Sequence, residues 1–137
     1  MSKVTYQGGL RTKALHIQSG NSIVTDAPID NQGKGEAFSP TDLIATALAS
    51  CMLTIMGIVA TRNNVKLKGT TAEVEKIMGT MPRKISGIKI KIFFNKNFDK
   101  ITKRKLEGAA LTCPVSNSLN KNLKESIKFI YPQAKYT

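Results

Sequence analysis

The chain has 137 residues, 41% of them hydrophobic and 22% charged, enough for one ordinary domain with its own core and without a bias towards disorder. Lys and Arg outnumber Asp and Glu by 21 to 9, so the surface field favours anionic partners or stabilises anionic groups such as thiolates. Two cysteines with a single histidine make a poor zinc set, because a structural site needs four ligands and a catalytic one usually three; neither a metal nor another cofactor is expected.

Residues 1–6 start directly with strand-like alternation and lack the pattern of a secretory leader. A cytoplasmic location is therefore expected, where two cysteines are read as buried, metal-binding or redox groups rather than as a permanent staple. Residues 2–7 and 11–18 alternate apolar and polar around Gly8-Gly9, which predicts a β-hairpin. A third short strand is expected over 22–26. The glycine-rich polar stretch 30–36 reads as a loop, the natural place for a mobile lid or rim.

Ser39-Pro40-Thr41-Asp42 is a helix start: Ser39 suits the N-cap, Pro40 the first turn, and Asp42 the helix dipole. The helix is expected to run to Asn63 or Asn64. From Leu43 to Ala60 it carries no charge and has apolar residues on every side, the mark of a helix buried all round. Its 18 uncharged residues just reach the length of a membrane span. Thr46, Ser50, Cys51, Thr54 and Gly57 dilute the run, so no membrane association is expected. A chain this small cannot wrap such a helix alone, and burial against a second copy predicts a homodimer.

Strands are then expected over 66–78 and 84–95, joined by the turn Gly79-Thr80-Met81-Pro82. Asp99 is the expected N-cap of a second helix that ends near Thr112, before Pro114. A short third helix follows, to about Asn120, and then a last strand over 126–131. With no repeat and no linker, residues 1–137 read as a single domain. Lys89 and Lys91 alternate with Ile88, Ile90 and Ile92, as on an ordinary solvated sheet face. This reading is preferred to a nucleic-acid groove, for which basic residues should be interleaved with exposed aromatics.

The reactive form of a cysteine is its thiolate, which needs a cation, hydrogen-bond donors or a helix N-terminus. Cys113 directly precedes Pro114, and as an N-cap it faces the positive end of a helix. Cys51 lies within the apolar helix, where a cation must be brought to it by the fold. His16 has no Ser or Asp pattern around it to suggest a triad and is read as structural.

The segments Ser39-Pro-Thr-Asp-Leu-Ile-Ala-Thr-Ala-Leu-Ala-Ser-Cys51 and Thr112-Cys113-Pro114-Val115-Ser116-Asn117 resemble the two signatures of the OsmC/Ohr family, named for osmotically inducible and organic-hydroperoxide-resistance proteins. The hairpin Tyr6-Gln7-Gly8-Gly9-Leu10-Arg11 and the order of elements fit as well. The resemblance implies an α+β, OsmC-like fold, with antiparallel sheets packed around a long buried central helix in an intertwined homodimer. It further implies a stress-response peroxidase in which Cys51 attacks an organic hydroperoxide and becomes a sulfenic acid, and Cys113 resolves it as a disulfide. A dithiol, by resemblance of the lipoyl type, then regenerates the pair.

In organic-hydroperoxide members an arginine of the first hairpin pairs with the reactive thiolate and with a glutamate near the helix start. Arg11 matches that arginine, while Thr41 stands at the glutamate position and places the chain in the broader OsmC-like group. The carboxylate is then expected from Asp42 or from loop residue Glu36. Ser116 and Asn117 are candidates for orienting Cys113. Leu48, Met52, Ile55 and Phe38 offer either an apolar approach to the sulfur or plain core. The alternative reading is a non-enzymatic module with inert cysteines that holds an anionic or apolar ligand, or nucleic acid, at the dimer boundary.

Overall fold

A computed structural model describes residues 1–133. Two compact units divide the chain, Met1–Ile44 and Ala45 onward. In the first unit β1 (Ser2–Gly8), β2 (Arg11–His16) and β3 (Ser22–Asp26) form an antiparallel sheet in that order. The hairpin closes as expected through Gly8 and Gly9, whose φ values of 82° and 61° suit residues without a Cβ. Strand β2 ends two residues earlier than its alternation suggests. There the His16 amide donates to the Asn21 carbonyl at 2.8 Å and the Gly20 amide to the His16 carbonyl at 2.8 Å, while the His16 ring hydrogen-bonds Ser19 Oγ at 2.6 Å. His16 thus serves a turn.

The stretch after β3 is built more firmly than a loose lid. It contains a short 3-10 turn at Ile29–Asn31; the amides of Asn31 and Gly33 both donate to the Pro28 carbonyl, and that of Gly35 to the Ala27 carbonyl. A Cβ at Gly33 would lie 1.7 Å from the Ala27 carbonyl oxygen, so only glycine allows this approach.

Helix α1 (Pro40–Arg62) starts in the first unit and continues into the second. Its start is a reciprocal cap: the Asp42 amide donates to Ser39 Oγ and the Ser39 amide to Asp42 Oδ2, both at 3.0 Å. By length and composition alone this helix would pass for a membrane span. Instead, Leu48, Met52 and Met56 are fully buried in a core with Ile88, Ile90, Ile92, Leu106 and Ala110, and full burial of a large apolar side chain contributes about 1.5–3 kcal/mol. Burial all round is not reached within one chain, since Ile44 and Ile58 stay exposed.

The second unit pairs β4 (Thr71–Gly79) antiparallel with β5 (Lys84–Phe93), and β5 with β6 (Lys124–Ile130). Here one strand departs from the all-antiparallel expectation: β6 runs parallel to β5. A parallel neighbour needs a crossover, which α2 (Lys100–Leu111) and α3 (Pro114–Ser118) supply. Strand β4 starts at Thr71 rather than at 66, because Asn95 Nδ2 donates to the carbonyls of Lys66 and Lys68 at 3.0 and 3.1 Å and holds that segment as a turn.

On β5 the isoleucines face the core, whereas Lys91 stands opposite Glu73 and Lys89 opposite Glu75 on the outer face. A groove of about 610 Å³ on that face is lined by these charges with Ser126 and Lys128. Asp99 caps α2 by accepting from the Thr102 amide at 2.8 Å, bonds that hold its carboxyl below the usual range. The molecule is α+β, with two three-stranded sheets and a long central helix.

Candidate active site

Cys51 occupies the middle of α1, half-buried, directly before the buried Met52. Cys113 ends the connection from α2 and is the N-cap of α3. Pro114 at the first helical position ends α2 and starts α3 at this point. The crossover thereby turns the Cys113 sulfur inward, where it is fully buried. The two thiols, 62 positions apart in the chain, meet at one core, which holds Cys113 and against which Cys51 packs. Both are free thiols.

As an N-cap, Cys113 Sγ accepts the Ser116 amide at 3.4 Å, the contact that its place before Pro114 suggests. Burial nevertheless dominates and pushes the Cys113 thiol up, with the Ser116 amide opposing and the neighbouring Cys51 adding to the rise. The expected help from the helix end is thus present but outweighed: α3 has only five residues, and a low-dielectric surround penalises the thiolate more than one amide stabilises it. Ser116 Oγ donates to Glu125, 2.9 Å from each carboxylate oxygen, tying the first turn of α3 to β6. Asn117 is exposed on α3, and its amide donates to the Cys113 carbonyl at 3.1 Å.

In the first unit Arg11 opens β2 and Asp26 closes β3, directly opposite it in register. Arg11 Nε donates to Asp26 Oδ1 at 2.7 Å and Nη2 to Oδ2 at 2.8 Å. A weaker contact runs from Nη2 to Glu36 Oε2 at 3.3 Å. Asp26 is only 1% exposed, whereas Glu36 is 65% exposed. The guanidinium, first by its hydrogen bond, holds the Asp26 carboxyl below its usual range, helped by the Glu36 amide at 3.1 Å; the pair in turn raises the guanidinium pKa.

At the helix start Thr41 Oγ1 bonds Ser39 Oγ at 3.1 Å and Asp42 serves the cap. Of the carboxylates expected beside Arg11, Glu36 is present as a minor partner, and the principal one, Asp26, escaped the sequence reading. Of the apolar candidates, Leu48 and Met52 are core, Ile55 packs against it half-buried, and Phe38 is exposed. Among the described residues no three His, Cys, Asp or Glu side chains gather to hold a metal ion.

The raised thiol has a consequence for stability. An acid whose pKa is higher in the fold stabilises the fold below its ordinary value, and this contribution is lost as pH rises through the folded value. Tyr131, half-buried and donating to Glu107 at 2.7 Å, behaves in the same sense. Unfolding free energy, measured by denaturant titration, is therefore expected to fall above about pH 8.5. The fall should be shallower in Cys113→Ala and in Tyr131→Phe; an unchanged slope in both variants contradicts the assignment.

The family profile described as OsmC-like protein matches residues 33–128. A crystal structure from Psychrobacter arcticus 273-4, provisionally described as an osmotic stress induced and detoxification response protein, is 55% identical, covers 93% of each chain and superposes with a TM-score of 0.91. An OsmC-like protein from Mycoplasma pneumoniae shares the fold at 16% identity and TM-score 0.80, over 97% of this chain and 96% of its own. An organic hydroperoxide resistance protein from Legionella pneumophila does so at 18% identity and TM-score 0.74, over 95% and 96%. No curated protein sequence matches. With a profile match across both the Cys51 and the Cys113 segments and a relative of 55% identity over nearly its full length, this chain belongs to the OsmC-like family.

Proposed function

We propose that the protein is a thiol-dependent peroxidase that reduces organic hydroperoxides. The observation that carries this reading is the gathering of two free thiols from distant segments at one core, Cys113 within it and Cys51 packed against it, in a chain whose fold relatives include proteins named for organic hydroperoxide resistance. The more accessible thiol, Cys51, is the attacking group. Its thiolate takes the terminal oxygen of ROOH, the O–O bond breaks, and the alkoxide leaves as ROH after accepting a proton. Cys51 becomes a sulfenic acid. The Cys113 sulfur then attacks Cys51, expelling water and leaving a disulfide.

The division of labour follows from the surroundings. A buried thiol that stays protonated makes a poor first nucleophile but is protected until its partner is oxidised. Arg11 in this reading supplies the cation for the Cys51 thiolate and for charge developing on the leaving oxygen. A dithiol donor, of the lipoyl type by family resemblance, restores both thiols by exchange. A cytoplasmic setting suits this cycle.

The reading includes a homodimer with its active sites at the subunit boundary. Val4, Tyr6 and Ile23 of the first sheet, Ile17 just after β2, and Ile44 and Ile58 of α1 are exposed in the single chain, more apolar surface than a soluble monomer usually shows. Light scattering at micromolar concentration should give twice the 14.9 kDa chain mass; a monomer mass contradicts the dimer.

One observation favours a second reading, a non-enzymatic binder of anions. The first unit carries four basic and four acidic residues, so the whole +12 excess lies beyond Ile44. The two readings separate on one experiment. Reduced protein treated with cumene hydroperoxide should lose two mass units, with a Cys51–Cys113 peptide on mapping, and Cys113→Ser should instead accumulate a dimedone-reactive Cys51. Unchanged thiols in excess peroxide sink the peroxidase reading.

A further inference from the structure

We infer that Glu125 is a positioning residue for the second chemical step: by gripping the Ser116 hydroxyl it holds the Ser116 amide on the Cys113 sulfur. The inference rests on the peroxidase reading and deepens it. In that step the Cys113 sulfur attacks the sulfenic sulfur of Cys51, and the S–S bond forms as the S–O bond breaks. The oxygen leaves as water, carrying its own hydrogen and the proton released by Cys113. Charge develops on Cys113 as that proton goes. A fully buried sulfur bears charge poorly, so a donor already in place lowers the barrier. The Ser116 amide, at 3.4 Å, is such a donor.

That contact depends on where the first turn of α3 lies. With five residues the helix is too short to fix itself. Val115 and Leu119 pack against the core and seat it. The bonds from the Asn117 amide to the Cys113 carbonyl at 3.1 Å and from Ser118 Oγ to the Pro114 carbonyl at 2.9 Å stay within the turn. The tie from Ser116 to Glu125 instead reaches the sheet.

Glu125 stands where the alternation of β6 calls for an apolar side chain. It pairs in register with the fully buried Ile88, and on its own face of the strand Ile127 and Phe129 pack against the core. A half-buried carboxylate there carries a desolvation cost unless a donor meets it. Ser116 Oγ lies 2.9 Å from each of its two oxygens, so the hydroxyl is held in one direction. The amide of the same residue is thereby aimed at Cys113. The neighbouring Ser126 lines the outer groove instead, and a slip of one residue along β6 would remove the tie.

The test compares two neutral variants of the full chain. Glu125→Gln keeps an acceptor for the Ser116 hydroxyl and Glu125→Leu does not, so their difference isolates the grip from the charge. After oxidation of Cys51 by cumene hydroperoxide, conversion of sulfenic acid to disulfide should be about 3- to 10-fold slower in Glu125→Leu than in Glu125→Gln. In a Ser116→Ala background the two should be equal, the signature of action through Ser116. An independent readout is the Cys113 pKa in a Cys51→Ser background, followed by NMR of isotope-labelled cysteine. It should be higher in Glu125→Leu than in Glu125→Gln, because the amide that favours the thiolate is released. Equal rates or equal pKa values in the two variants, a difference that persists without the Ser116 hydroxyl, or an equally slowed oxidation of Cys51 would each overturn the inference. If Glu125→Leu does not fold, Ser116→Ala alone should slow disulfide formation by a comparable factor, and a wild-type rate overturns the proposal. Absence of any peroxide reaction in the wild type would instead sink the peroxidase reading, while the pKa comparison still tests the grip.

Discussion

Cys113 sits between a thiol and an amide, at the point where the chain leaves α2, meets Pro114 and turns into α3. Almost everything in the second unit serves to bring it there. The isoleucine face of β5 and the buried face of α1 share one core with Leu106 and Ala110 of α2, so the crossover that carries Cys113 is packed onto the helix that carries Cys51. Because β6 must return parallel to β5, that crossover is obligatory. The topology therefore ties the thiol pair to the sheet, and Ser116 with Glu125 ties the turn after Cys113 to β6 as well.

Two environments of opposite character result. Around Cys113 a low-dielectric surround keeps the sulfur neutral, and around Arg11 a buried carboxylate keeps the guanidinium charged and oriented. The proposed peroxidase cycle would use the first for a reserved second thiol and the second for a cation in the first step. In the second unit, Lys89 and Lys91 face Glu75 and Glu73 across the outer surface of an ordinary sheet.

The readable parts were local. Gly8-Gly9, Ser39-Pro40 and Asp99 act through nearest neighbours, and each does in the structure what its chemistry suggested. The two cysteine segments were legible as family signatures, and the profile match spans them. The parts that were missed depend on distant partners. Residues 66–70 look like strand until Asn95 claims their carbonyls, and the parallel direction of β6 is decided by the crossover rather than by its own alternation. Asp26 was hidden for a similar reason. Its place opposite Arg11 depends on how many residues the turn between β2 and β3 takes up, and His16 sets that by ending β2 early.

The most direct test of the central claim is the stoichiometry of one turnover. Anaerobic, fully reduced protein is titrated with less than one equivalent of cumene hydroperoxide, and free thiols are counted after denaturation. Two thiols lost for each hydroperoxide consumed and each cumyl alcohol formed is the expected result. Alcohol formation with one thiol lost, or consumption of peroxide with none, would contradict a joined Cys51 and Cys113.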